Sequence, residues 1–194
     1  MIRAHEQPDV LILGVEGPAT MMESPAVSEL ATEQLSRNVR ALRIDLRACT
    51  TMDSTFSGTL LALKRQLDKV GGKLTLVSPS ARVLELLEQM GLADFYDVEV
   101  ANRVPVDGPW RVIAPAQPRA EQLRQLVVDA HDELARLPGP AARAFRTVVE
   151  ELRKTSERGT EKSADDTMGR EDSPETMRTA GFGVGLELVR AHLD

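Results

Sequence analysis

Apolar and polar positions alternate along the first hundred residues in a way that separates short strands from longer helices. "DVLILGVEG" (Asp9 to Gly17) is a compact apolar run closed by glycine and reads as a strand buried on both faces. "SPAVSELATEQLSRNV" follows, with Ser24 placed to cap, Pro25 suited to a first helical turn, and Val27, Leu30, Leu35 and Val39 forming a loose apolar stripe. "ALRIDL" (Ala41 to Leu46) is the next strand. A polar loop then leads into a helix from about Ser54 to Val70, which Gly71 and Gly72 stop. "KLTLVS" (Lys73 to Ser78) is a strand, and "SARVLELLEQMG" is a helix capped by Ser80 and ended by Gly91. "ADFYDVEVANRV" supplies a turn and a last edge strand. Strands and helices in this order imply a sheet with helices packed on it, largely parallel where crossovers join neighbours. The unit extends to about residue 115.

Beyond it the rhythm changes. A proline-rich linker precedes a helix near Arg119 to Leu137, with Leu123, Leu126, Val127, Ala130 and Leu134 on one face. Pro138-Gly139-Pro140 turns the chain into a second helix whose stripe is Phe145, Val148, Val149 and Leu152. Two amphipathic helices joined by a tight turn predict a helical hairpin over 119–154, which must pack on itself, on the sheet unit or on a partner. From Lys154 to about Ala180 large apolar residues nearly vanish, so a disordered acidic and polar tail is expected over 155–194, with a short helix at its end where apolar residues return. Its Ser/Thr content reads as a solvated spacer. In the closing "GFGVGLELVRAHLD", the Gly181–Gly185 run resembles a glycine box of histidine-kinase-like ATPases. The Asn-bearing helix and Asp-x-Gly box of such enzymes are missing upstream, so it reads as a hinge before a short apolar docking helix (Leu186, Val189, Leu193).

Composition narrows the function classes. Hydrophobic residues make up 42% of 194 and aromatics only 3%, so one domain with an aliphatic core and an appendage is expected. A net charge of −6 gives no electrostatic basis for broad binding of nucleic acid or anionic lipid. Cys49 is the single cysteine, which suits a reducing compartment, and the N-terminal segment matches neither a signal peptide nor a membrane span; a cytoplasmic protein is expected. His5, His131 and His192 are scattered, with no second ligand at metal spacing and no defensible Ser/His/Asp set. No cofactor and no enzyme activity are expected. Cys49 reads as a small hydrophobe rather than a redox centre.

The chemistry of interest concentrates at "TTMDSTFSGTLLAL", where hydroxyls crowd a helix start. The ordered set Asp45-Leu46, Met52-Asp53-Ser54-Thr55, Gly71-Gly72, Gly91-Leu92 and Phe95 resembles the STAS domain, the fold of bacterial anti-sigma factor antagonists. That resemblance covers roughly residues 9 to 100. It implies an α/β fold with a mixed sheet of four to five strands and helices mainly on one face, here with the C-terminal hairpin and tail added. It also implies a phosphoacceptor at Thr55, with Ser54 as the alternative. Asp53, Ser54, Thr55 and Phe56 would form the partner-binding surface. The implied partners are an anti-sigma factor serine kinase and a type 2C-like phosphatase, in a partner-switching pathway that regulates transcription. The competing reading is that Asp53 and Ser54 are ordinary caps and Thr55 a passive first-turn residue. Ser57 points elsewhere on the helix. Phe56 departs from the glycine that many antagonists carry after the acceptor: exposed, it would dock a partner; buried, it would only anchor the helix. The hairpin favours an alternative role, a non-phosphorylated scaffold subunit of a lipid-transport or stressosome-like assembly.

Overall fold

The structure, a computed structural model, describes residues 1–102 and 104–165, with side chains described as far as Lys154. The expectations for the tail beyond 165, for Gly181–Gly185 and for the terminal docking helix lie outside the described residues.

Six strands form one mixed sheet: β1 (Ile2–Glu6), β2 (Val10–Ala19), β3 (Ala41–Met52), β4 (Lys73–Val77), β5 (Asp97–Glu99) and β6 (Arg111–Ile113), in the order β5-β4-β3-β2-β1-β6. Strands β2 to β5 run parallel, while β1 is antiparallel to both β2 and β6. Five α-helices, α1 (Ser24–Ser36), α2 (Ser54–Lys69), α3 (Ala81–Gln89), α4 (Ala120–Ala135) and α5 (Ala141–Asp165), and one 3-10 turn at Ala93–Phe95 complete the described residues.

Side chains alternate across a strand, so each strand feeds two faces. Leu11, Leu13 and Val15 of β2, Leu42, Ile44 and Leu46 of β3, and Leu74 and Leu76 of β4 join the helices in one large core. Ile12 and Val77 point the other way and are covered by Val104, with Ala101, Val106 and Trp110 packed alongside. The helices thus lie on one face, and the irregular stretch before β6 shields the other.

Three local expectations change. Strand β1 escaped the sequence reading because Ile2 and Ala4 join the core while Arg3 turns to the opposite face, pairing with Glu16 at 2.5 Å beneath the Trp110 ring. Its apolar content is therefore too sparse to read as a run. Strand β3 does not end at Leu46: "RACTTM" continues it, and the ladder to β2 resumes through two irregularities, pairing Gly17 with Cys49 and Ala19 with Met52. Ser24 does not cap α1 either. It is the first helical residue, fully buried, and its hydroxyl donates to the Thr20 carbonyl at 3.0 Å.

Other terminators behave as the sequence suggests. Ser80 accepts from the Val83 amide at 3.3 Å at the start of α3, and Gly91 adopts φ +72 just past its end, a conformation costly for a side chain with a Cβ. The hairpin forms, with Gly139 at φ +101 in its turn, and it packs on the sheet unit: α4 lies on α2, and α5 on α4. Helix α5 runs past the boundary expected at Lys154, to Asp165; Glu157, Arg158, Glu161, Lys162 and Ala164 favour its continuation, and Gly159 does not stop it.

Candidate functional site at the start of helix α2

The polar residues that drew attention in the sequence converge on the first turn of α2. Asp53 is its N-cap, with extended backbone and a carboxylate that accepts from the Phe56 amide at 2.8 Å. The second oxygen accepts from the Met21 amide, also at 2.8 Å, so one carboxylate ties the loop after β2 to the helix start. The Asp53 amide donates to the Ala19 carbonyl at 3.0 Å, closing the junction. Burial pushes the Asp53 carboxyl above its usual pKa; the N–H donors of Phe56 and Met21 pull it down only in part, and Glu23 adds to the rise.

Ser54, half-buried, bonds across 77 positions of sequence to His131 of α4, with Oγ 3.0 Å from Nε2. The His131 Nδ1 lies 2.8 Å from the Val127 carbonyl, which can only accept. Nδ1 must therefore carry the proton, Nε2 is the acceptor, and the Ser54 hydroxyl donates. His131 is 4% exposed, and burial lowers its pKa, partly opposed by the Val127 bond and the Asp132 charge, so the neutral form this geometry needs is favoured.

Thr55 is 4% exposed. With Gly58, Thr59 and Ala62 it forms an i, i+3, i+4, i+7 stripe on α2, alongside the line of Ser54, Gly58 and Arg65 that meets α4. The two helices approach closely at Gly58: a Cβ there would stand 2.2 Å from the Ala130 carbonyl oxygen. The Thr59 hydroxyl donates to the Thr55 carbonyl at 2.8 Å. Phe56 resolves to the anchoring alternative. It is fully buried in the main core and offers a partner no surface in this arrangement. Ser57 is also fully buried: its hydroxyl donates to the Asp53 carbonyl, and its own carbonyl accepts from Tyr96.

Other candidates take structural places. Asp45 is held by Arg47 through Nε at 2.9 Å and Nη2 at 2.6 Å. Burial pushes the Asp45 carboxyl up, but these bonds outweigh it and leave the pKa below the usual value. Cys49 is buried, its thiol pushed up by burial, and its Sγ donates to the Thr51 carbonyl. No cluster of metal-binding residues occurs among the described residues, and no described helix is long and apolar enough to cross a membrane.

The sequence reading passed over His131 as one of three scattered histidines, and missed Gly58 and the Met21 amide. Two signals were available. His131 sits four residues after Val127 and three before Leu134, on the apolar stripe of α4, and Gly58 interrupts an otherwise strong helix where only a close neighbour explains it.

Comparison with known proteins agrees with this architecture. The family model for the STAS domain matches residues 1–104, more than half of the chain, and the chain belongs to that family. Similar solved structures include the anti-sigma factor antagonist SpoIIAA in its unphosphorylated form, 19% identical, with 53% of this chain and 89% of the other covered at a TM-score of 0.44. The Bacillus cell fate determinant SpoIIAA in the phosphorylated form is 16% identical over 53% and 92%, with a TM-score of 0.46. An anti-sigma factor antagonist from Mycobacterium paratuberculosis is 21% identical over 50% and 83%, with a TM-score of 0.45. A search of curated proteins found no match. The family match stops at residue 104, so the hairpin lies outside it.

Proposed function

We propose that this chain is a regulatory binding protein of the anti-sigma factor antagonist kind, a substrate and ligand rather than a catalyst, acting in the cytoplasm. The start of α2 is the element that a serine-kinase anti-sigma factor reads. Thr55 receives the phosphoryl group of ATP, with Ser54 as the alternative acceptor, and a type 2C-like phosphatase removes it. The observation that carries this reading is the Asp53 carboxylate, which fastens the Met21 loop to the first turn of α2 and makes one platform of two segments. Met22, 57% exposed, stands beside it as an apolar contact for a partner.

The physical chemistry suits a switch. A phosphate in the first turn meets the positive end of the helix dipole, worth about 0.3–1 kcal/mol, so the fold survives the modification. The same group brings nearly two negative charges next to Asp53 and Glu23. A loss of about 3 kcal/mol at a docking face weakens binding by roughly two orders of magnitude. Incubation with an anti-sigma factor serine kinase and ATP, followed by phosphosite mapping, tests the assignment. Phosphate at Thr55 or Ser54 supports it, and incorporation at neither removes it.

A second reading is favoured by the burial of Thr55: a scaffold subunit that is never phosphorylated. Co-purification with a transporter ATPase or a stressosome-like assembly, and no phosphate at α2, would support that reading.

A further inference from the structure

We propose that the α4–α5 hairpin is a built-in mask over the α2 face that carries Ser54 and Thr55, and that it leaves as a unit to open this face. The proposal rests on the reading of α2 as the regulated element.

Helix α2 buries two faces of opposite character. Phe56, Leu60, Leu63 and Leu67 face the sheet and belong to the main core. The face toward α4 carries the small residues Ser54, Thr55, Gly58, Thr59 and Ala62, three of them with hydroxyls, with one large apolar side chain, Leu61, buried three residues after Gly58. Apart from Leu61, such a surface loses little on meeting water, unlike the stripe of Phe56, Leu60, Leu63 and Leu67, which needs permanent cover.

The hairpin touches the sheet unit mainly through this one helix, since α5 is reached by way of α4. Its fastenings are the Gly58–Ala130 backbone approach, the Ser54–His131 hydrogen bond, an Arg65–Glu133 ion pair at 3.1 Å, and apolar contact from Leu134, Leu137, Ala142 and Phe145, which join the main core. A groove of about 510 Å³ runs beside the contact, lined by polar residues that include Ser28, Thr59, Gln125 and Asp129, so one flank of α4 is open to solvent. The hairpin follows the family-matched residues in the chain, so its departure interrupts no strand or helix of the matched unit. With the mask seated, Thr55 is buried and the Ser54 hydroxyl is committed to His131, so a kinase reaches neither acceptor.

The test uses the full chain with a thiol reporter, Thr55→Cys in a Cys49→Ala background, labelled with a maleimide under native conditions. Two openers are compared with this parent. Gly58→Ala drives a Cβ into the Ala130 carbonyl while favouring α2 itself, and His131→Leu removes the Ser54 bond, together with the Val127 bond and the Phe145 ring contact, without adding a clash, and guards against misfolding of the first. Labelling roughly tenfold or more faster in an opener, with far-UV circular dichroism and the urea midpoint of the sheet retained, is expected for a separate opening unit. Equal rates in the parent and both openers, or labelling only at the rate of global unfolding, overturns the mask. A parallel arm offers the Thr55 protein, with and without Gly58→Ala, to an anti-sigma factor serine kinase and ATP. Equal phosphorylation at Thr55 in both overturns the mask but leaves the proposed function standing. Faster thiol labelling with no phosphate in either protein upholds the mask and removes Thr55 as acceptor.

Discussion

Replacing His131 with leucine makes a prediction whose sign depends on pH. Near pH 7.5 the variant loses the hydrogen bond from Ser54, worth about 1 kcal/mol, and part of this is offset by the apolar side chain it gains. The parent therefore holds a lead of at most about 1 kcal/mol. Acidification reverses the order. The folded-state pKa of His131 lies below its ordinary value of 6.5, because burial disfavours the imidazolium. The unfolded chain then takes up the proton first, and the parent's stability, complete above 6.5, falls as the pH drops toward the folded-state pKa. At pH 5.5, one unit below the unfolded value, this amounts to at most about 1.4 kcal/mol, enough to cancel the lead. Two carboxylates near the core do not mimic the effect. Asp53, with a raised pKa, gains relative stability on acidification, and the contribution of Asp45 is lost only as the pH falls below about 3.8 toward its lowered pKa. The groups facing His131 are Ser54 from α2, the Asp132 carboxylate on its own helix and the Phe145 ring of α5. Urea unfolding followed by far-UV circular dichroism at pH 8.0, 7.0, 6.0 and 5.5 measures both proteins. Parallel loss of stability in parent and variant over this range would refute a buried neutral His131 bonded to Ser54.

Asp53→Ala removes a helix cap and the acceptor for the Met21 amide together, and is expected to cost about 2 kcal/mol by urea unfolding; relief of a buried charge keeps the figure from going higher. Phe56→Ala leaves a cavity under α2 and is expected to cost about 3–5 kcal/mol, far more than loss of a docking side chain from a surface would.

The parts of this protein legible in its sequence are those fixed by neighbours a few positions away. The run Leu11-Ile12-Leu13 announces a doubly buried strand because its apolar residues are contiguous, and Asp53 ahead of Phe56 announces a cap because its partner lies within one turn. The order of Asp45-Leu46, Asp53-Ser54-Thr55 and Gly71-Gly72 sufficed to point to the family. What stayed hidden depends on distant residues. Arg3 could not be read as a strand residue without knowing that Trp110 and Glu16 receive it, and "RACTTM" gave no sign that β2 would extend to pair with it. The surroundings of Thr55 were the largest omission. The residue types at the helix start were plain, but His131 meets Ser54 and Ala130 meets Gly58, and only packing shows that a second face of α2 is occupied.

The placement of Trp110 has a consequence for measurement. It is the only tryptophan in the chain, and it sits over Arg3 on the sheet face opposite the helices. Its fluorescence therefore reports the sheet and is blind to the hairpin, while circular dichroism near 222 nm weighs α4 and α5 heavily. A titration read by both signals would give superimposable curves for a protein that melts in one step, and curves displaced from each other for one whose hairpin lets go first.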